Sequence, residues 1–334
     1  MRVTLKMIAK ETGVSTMAVS AALNNTTRTR ISKEKREYIR KIANEMGYSP
    51  NVVAQSLSGG KTRMVGVIID SHSPDSCIQV LRGIEEVARL RNYRVIVAEQ
   101  HDSMQDIVEL CKILENYGVD GIIALAHDYP NQQSFSTLYG RHKNIVFWEM
   151  DDDLSGLYVG VSAENAFKTI LSSWQKKGRK NPALVIGSMN NSHLTKRINS
   201  YKKLCNELGV EGNILYSDIG PYDDKTLDEM RSVFKNQIIP KKVDSLLMES
   251  DFWALAMLKV AQENNCKVPD DLAIVGWDDN GYCSLCTPTL ASVSLQPNEQ
   301  GKLLLNLLLD KLENKKVESV EIPAVFKNRE SSGI

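Results

Sequence analysis

From Met64 onward the chain is punctuated by short, uninterrupted apolar runs, which is what strands buried on both faces require. Val65-Gly-Val-Ile-Ile69, Arg94-Val-Ile-Val97, Gly121-Ile-Ile-Ala-Leu125 and Ile145-Val-Phe-Trp148 come first, separated by helical stretches near residues 77–91, 105–117 and 131–140. A second series opens at Tyr158-Val-Gly-Val161 and continues through Ala183-Leu-Val-Ile186, Ser245-Leu-Leu-Met248 and Ala273-Ile-Val-Gly-Trp277. Strands alternating with helices in two series predict two doubly wound α/β lobes of parallel sheet. A last helix from Glu299 to about Leu312 and a strand from Val317 to Phe326 complete the sheets. At 334 residues the chain has room for two or three domains.

In open α/β sheets ligands sit beyond the carboxyl ends of the strands, so two such lobes define a cleft at their junction. Those ends are polar here: Asp70-Ser71, Glu149, Glu249-Ser250-Asp251 and Asp278-Asp279, with Trp148, Trp253 and Trp277 beside them. Carboxylates that accept from vicinal hydroxyls, next to aromatic faces, suit a saccharide. The same residue types also serve as helix caps and core filler, and the sequence leaves both readings open.

Ahead of the lobes lies a different pattern. Val3 to Asn24 reads as two short helices around a tight turn: Ile8, Ala9, Val14, Val19, Ala22 and Leu23 fall on facing inner surfaces, and Gly13 supplies a turn residue that tolerates positive φ. Thr4 and Ser15 stand where N-caps belong. A third helix starts at Ser32, runs to about Met46 and is ended by Gly47; Ile39, Ile42, Ala43 and Met46 would close a three-helix core. A helix-turn-helix of this kind lays its second helix in the DNA major groove. Beyond it, Pro50 and Asn51 open a segment of about two turns that Gly59-Gly60 stops, too short to be stable without a partner.

The chain is electroneutral as a whole, which would argue against nucleic acid if its charge were evenly spread. Residues 1–63, however, carry 12 Lys and Arg against 4 Asp and Glu. That surplus of eight positive charges is the footprint of a phosphate-binding head, and the remainder is acidic by the same amount. The polar N-terminus and strand-length apolar runs predict neither signal peptide nor membrane span, and hence a cytoplasmic location. The six cysteines show no secreted-domain pattern and are expected as thiols. Cys283-Ser-Leu-Cys286 has the spacing of a redox pair or half a zinc site, but no second pair accompanies it. His72, His101, His127, His142 and His193 are scattered singly; only His72 and His193 fall near the expected cleft. With no G-x-G-x-x-G after a strand, no Walker lysine loop, no G-x-S-x-G and no metal-spaced histidines, neither a catalytic group nor a cofactor or metal is expected. A transport receptor, which would share the two lobes, has no use for a basic helix-turn-helix.

Val3-Thr-Leu-Lys-Met-Ile-Ala, Gly13-Val-Ser-Thr-Met-Ala-Val-Ser20, Gly47-Tyr-Ser-Pro-Asn-Val-Val-Ala-Gln-Ser-Leu57, Arg82-Gly-Ile-Glu-Glu86, Val119-Asp-Gly-Ile-Ile123, Val268 to Asp278 and Thr287-Pro-Thr-Leu together resemble the LacI/GalR transcriptional repressors over nearly the whole chain. The resemblance implies a three-helix DNA-binding domain (residues 1–49), a hinge helix and linker (50–63) and a periplasmic-binding-protein-like core of type I (64–330). Its N-terminal lobe would take about 64–160 and 293–319, its C-terminal lobe about 161–292 and 320–330. It also implies a homodimer that reads a near-palindromic operator in double-stranded DNA and binds a small effector, expected to be a carbohydrate, between the lobes. The residues after the last strand are few and polar, so a dimer without a tetramerising tail is the expected assembly.

Thr16, Met17 and Ala21 match the family's base readers, and Thr4, Ser15, Ser20 and Asn24 match positions near phosphates. Ala21 stands where relatives often carry a long polar reader and can offer only a methyl contact. Arg28 and Arg30 lie in a loop slightly longer than usual, where phosphate or minor-groove contact and plain solvation are both open. Asn51, Ala54 and Leu57, in the hinge, are the remaining expected DNA-binding residues. Leu57 matches a leucine that wedges between central base pairs, the other reading being packing of paired hinge helices. In the cleft, Arg197 matches the effector arginine, with Ser200 replacing a glycine; a structural ion pair is its other reading. Asp278 matches an effector aspartate, Glu149 a frequent aspartate, and Ser250-Asp251 the common Asn-Asp pair. Ser76 and Cys77 replace paired aromatics, leaving the ligand's identity unreadable. With Asp70, Ser71, Trp148 and Trp277 these complete the expected effector wall.

Overall fold

A computed structural model describes residues 3–23, 31–48, 61–70, 75–100, 104–125, 142–149, 156–187, 192–219 and 224–334. The chain divides into two compact units, one ending at Thr62 and one beginning at Arg63.

The first unit holds α1 (Leu5–Thr12), α2 (Thr16–Leu23) and α3 (Lys33–Glu45). Thr4 caps α1 by accepting from Met7 N, and Gly13, at φ +66°, ends it. Ser15 Oγ accepts from Ala18 N at 3.2 Å and does the same for α2. Ile8, Ala9, Val19, Ala22, Ile39 and Ala43 form its buried core. Three basic side chains of α3 brace the motif from within: Lys35 donates to Thr12 O, Arg36 to Ala21 O and Arg40 to Ala22 O. Cations therefore meet the exposed carbonyls that end α1 and α2, where the helix dipole favours them. Ser32 caps α3 by accepting from Lys35 N at 3.2 Å. Ser32→Ala is expected to cost about 1 kcal/mol, read as a lower midpoint in thermal unfolding followed by helical circular dichroism.

The second unit contains two six-stranded sheets. The first is built from β1 (Met64–Asp70), β2 (Arg94–Gln100), β3 (Gly121–Ala124), β4 (Ile145–Trp148), β5 (Tyr158–Ser162) and β11 (Val320–Pro323), in the order β11-β5-β4-β3-β1-β2 and parallel throughout. α4 (Asp75–Leu90), α5 (Met104–Asn116) and α10 (Pro297–Leu312) belong to this lobe. The second sheet holds β6 (Pro182–Gly187), β7 (Asn213–Ser217), β8 (Ser245–Met248), β9 (Ala273–Trp277), β10 (Ala291–Ser294) and β12 (Val325–Lys327), with only β10 and β12 antiparallel. Its helices are α6 (Glu164–Lys176), α7 (Ser192–Leu208), α8 (Thr226–Val233) and α9 (Asp251–Glu263), and α8 continues as a π turn over Phe234–Ile238.

Three expectations are corrected here. Tyr158 opens the last strand of the first series, not the first of the second, so the first lobe extends through Ser162. The strand expected from Val317 to Phe326 is two strands broken at Ala324, one in each sheet; residues 320–323 thus belong to the first lobe, not the second. Strands β7 and β10 were not anticipated, because neither carries a continuous apolar run. The helix expected near residues 131–140 lies outside the described residues.

Packing of α4 against α10 is unusually close. A Cβ on Gly83 would fall 2.0 Å from Asn298 O, and one on Gly301 2.0 Å from Val80 O, so only glycine permits the crossing. Around it Val80, Ile84, Leu304, Leu305 and Leu308 are buried. The C-terminal residues are held equally firmly: Ser331 Oγ donates to Ile274 O and Trp174 Nε1 to Ser332 O.

Candidate functional site

In the first unit, Thr4, Ser15, Thr16 and Met17 are exposed at the amino ends of α1 and α2, and Ser20 is partly so. Met17 is 72% exposed, an apolar side chain that the unit's own core does not use. Ala21, in contrast, is 6% exposed beneath α3 and has little surface to offer a base. Asn24, Arg28, Arg30, Asn51, Ala54 and Leu57 lie outside the described residues.

In the second unit a cleft of about 370 Å³ lies between the lobes, lined among others by Glu149, Tyr158 and Glu321 of the first and Lys196, Arg197 and Trp277 of the second. Its back wall is Val161 to Ala163 and Leu295, at two of the chain's crossings. Arg197, from α7, places its guanidinium carbon over Trp277, 3.7 Å from the ring centroid. Phe167 supports Trp277 from inside, with ring centroids 5.6 Å apart. The guanidinium donates to Glu249 O at 3.2 Å, and the Glu249 carboxylate is itself fastened by Gly187 N–H. Glu249, Asp278 and Glu149 surround Arg197 electrostatically, and burial lowers the Arg197 pKa while raising those of Glu149 and Glu249.

Glu149 faces Arg197 from the opposite lobe. It closes β4 with φ at +55°, a left-handed conformation uncommon outside glycine, fixed by its N–H bond to Val159 O. Among the described residues no carboxylate comes within ion-pair distance of Arg197, and none donates a hydrogen bond to the Glu149 side chain. At the cleft's other end Lys196 Nζ lies 5.8 Å from the Tyr158 ring centroid, and Tyr158 OH reaches Glu321 at 3.4 Å. Lys196, Tyr158 and Glu321 were missed at the sequence level. Tyr158 and Glu321 meet only through the register of β5 with β11, which nothing local encodes.

The structure thus brings Glu149, Arg197, Trp277 and Asp278 together and places other expected wall residues elsewhere. Trp148 is 2% exposed in the first lobe's core and donates its indole N–H to Gln300 Oε1 at 2.6 Å. Ser250 is buried as the cap of α9, accepting from Trp253 N. Asp251 is wholly buried, bonded to Ser292 and Asn280 rather than facing the cleft. All three corrections share a cause: a polar group at the end of a buried strand is satisfied inside the protein, by the next helix for Ser250 and by distant segments for Trp148 and Asp251, before it can face the cleft. Ser76 is buried with its Oγ lacking a partner. Asp70 closes β1, and Ser71 lies outside the described residues. All six cysteines are free; Cys283 is buried, which raises its thiol pKa, and Cys286 Sγ donates to Pro288 O. No helix among the described residues is long and apolar enough to cross a membrane.

A helix-turn-helix unit joined to a two-lobed α/β unit with a charged interlobe cleft defines the class of DNA-binding regulators that carry an effector domain. Residues 4–51 match the model for bacterial regulatory proteins of the lacI family, and residues 174–332 the periplasmic binding protein-like domain. The HTH-type transcriptional repressor PurR of Erwinia tasmaniensis is 25% identical over 327 residues, covering 96% of this chain and 93% of that one. The ribose operon repressor of Lactococcus lactis is 26% identical over 336 residues, covering 98% and 97%. A crystal structure of the lac repressor dimer bound to operator and the anti-inducer ONPF superposes with a TM-score of 0.87 at 21% identity, covering 99% of both chains. The chain belongs to the LacI family of bacterial transcriptional regulators, a non-enzymatic family.

Proposed function

We propose that this regulator is a homodimeric repressor whose operator affinity is set by a polyhydroxylated effector, a sugar or sugar derivative, bound in the interlobe cleft. The observation that carries the reading is the facing pair Arg197 and Glu149, presented by opposite lobes without touching. A hydroxyl group donates to a carboxylate and accepts from a guanidinium at once, so a polyol satisfies both walls and draws the lobes together. Among the described residues neither side chain forms a structural ion pair, which favours the ligand-binding reading of Arg197. Exposed Thr16 and Met17, flanked by the caps Thr4 and Ser15, supply base and phosphate contacts in the major groove. Two copies reading two half-sites fit the dimer on operator named for the lac repressor structure. Coupling of roughly 1–3 kcal/mol between the sites gives a 5–150-fold swing in DNA affinity.

The test is to enrich genomic fragments on the purified protein, define the operator, and titrate the complex with a panel of sugars. One sugar is expected to shift operator affinity within that range. If every sugar is inert while a planar base or an amino acid shifts it, the carbohydrate reading is rejected.

A further inference from the structure

The Asp278 turn is held in an unfavourable backbone conformation, and the buried groups beneath it account for its persistence. Two consecutive non-glycine residues, Asp278 at φ +103° and Asp279 at φ +58°, follow the end of β9. Residues of this type rarely adopt such angles unless the surroundings over-determine them. Asp251 lies directly behind. Its Oδ2 accepts from Asn280 N at 2.7 Å, and its Oδ1 accepts from Ser292 Oγ at 2.6 Å. Ser292 Oγ in turn accepts from Asp279 N at 3.0 Å, while Arg329 pairs with the Asp279 carboxylate at 2.7 Å. The space is reserved for this purpose, since a Cβ on Gly276 would fall 2.2 Å from Asp251 Oδ1.

We propose that Asp251 is a positioning residue for effector recognition: its carboxylate, relayed through Ser292 and Asn280, holds the 278–280 turn so that Asp278 is presented toward Arg197. That the turn serves an effector rests on the reading of the cleft given above; that Asp251 holds it does not. Retaining an ionised carboxylate here is costly, because burial, with a smaller contribution from nearby Asp279, raises its pKa to about 6 against the donors from Ser292, Asn280 and Cys283. Arg329 answers Asp279 and acts on Cys283, and is not in contact with Asp251. A helix cap needs no such carboxylate, since Ser250 already caps α9.

The experiment is hydrogen exchange on the full chain with Asp251→Ala, Asp251→Asn and Ser292→Ala. Asparagine keeps an acceptor for Asn280 N–H and turns a donor toward Ser292 Oγ, so it is expected to retain the turn. Asp251→Ala is expected to speed exchange at Asp279 and Asn280 by roughly tenfold or more, with Ser292→Ala smaller in the same direction, while amides of β1–β4 are unchanged. A group with a folded pKa near 6 and an unfolded value near 4 binds its proton more tightly when folded. Its contribution therefore turns destabilising as pH climbs through that window, and the full cost is present at pH 7. The fall in melting temperature between pH 5 and pH 8 is accordingly expected to be smaller in Asp251→Asn than in the parent. The proposal is overturned if Asp251→Ala leaves the turn protected, or if it loosens β6–β9 as much as the turn. It is also overturned if Asp251→Asn exchanges as fast as Asp251→Ala. An intact anchor with no sugar response would count against the cleft reading instead.

Discussion

Replacing Gly301 with alanine is expected to lower the melting temperature of the two-lobed unit by roughly 10 °C, corresponding to about 3 kcal/mol. The added methyl would start 2.0 Å from Val80 O, a backbone atom that cannot rotate aside. Helix α10 would have to withdraw from α4 along its length, opening space around Val80, Ile84, Leu304 and Leu308, which are now fully buried. Gly83→Ala meets Asn298 O in the same way and should behave alike, and the two should be less than additive because the first displacement relieves the second. Gly281, whose Cβ would meet nothing within 4 Å, supplies the control, and its alanine variant should melt within about 0.5 kcal/mol of the parent. Equal melting of Gly301→Ala and Gly281→Ala would show that the crossing is looser than described.

Arg197→Ala should abolish effector response: binding of whichever sugar shifts the parent protein's operator affinity is expected to weaken a hundredfold or more, about 3 kcal/mol. The loss has two parts. A guanidinium offering forked donors disappears, and Glu149, Glu249 and Asp278 are left around a site with one fewer cation. Arg197→Lys should recover little, because an ammonium does not present the paired donors of a guanidinium held over Trp277. Operator binding without sugar is the internal standard and should persist in both variants. Calorimetry with the sugar and a binding assay on the operator separate the two effects. An alanine variant whose operator affinity shifts at the parental sugar concentration would remove Arg197 from the effector site.

The parallel strands were legible because a strand covered on both faces must be apolar throughout, as in Ile145–Trp148. The helix starts at Thr4, Ser15 and Ser32 were legible because capping is local chemistry. Edge strand β7 was not, since it alternates and leaves Tyr216 half exposed, and β10, Ala291–Ser294, is too weakly apolar to stand out. Within the cleft, Arg197 and Glu149 were placed by resemblance and Trp277 by its position at a strand end, and the three are found together. Asp251 and Asp278 look equivalent in the sequence, as acids closing consecutive strands. Only the tertiary arrangement sends one into the interior and leaves the other beside the cleft. Trp148 and Trp277 divide in the same way: Gln300 takes the indole N–H of the first, while a guanidinium covers the face of the second.

The break at Ala324, which sends β11 to one sheet and β12 to the other, also constrains synthesis. Because α10 and β11 belong to the first lobe yet follow β6–β10 of the second in the chain, the first lobe cannot be completed before most of the second has been made. Until residues 297–323 have emerged, β5 keeps an open edge and α4 an uncovered apolar face. The interval in which nascent copies can adhere to one another is therefore written into the order of the strands, and it closes only when that last segment of the first lobe is in place.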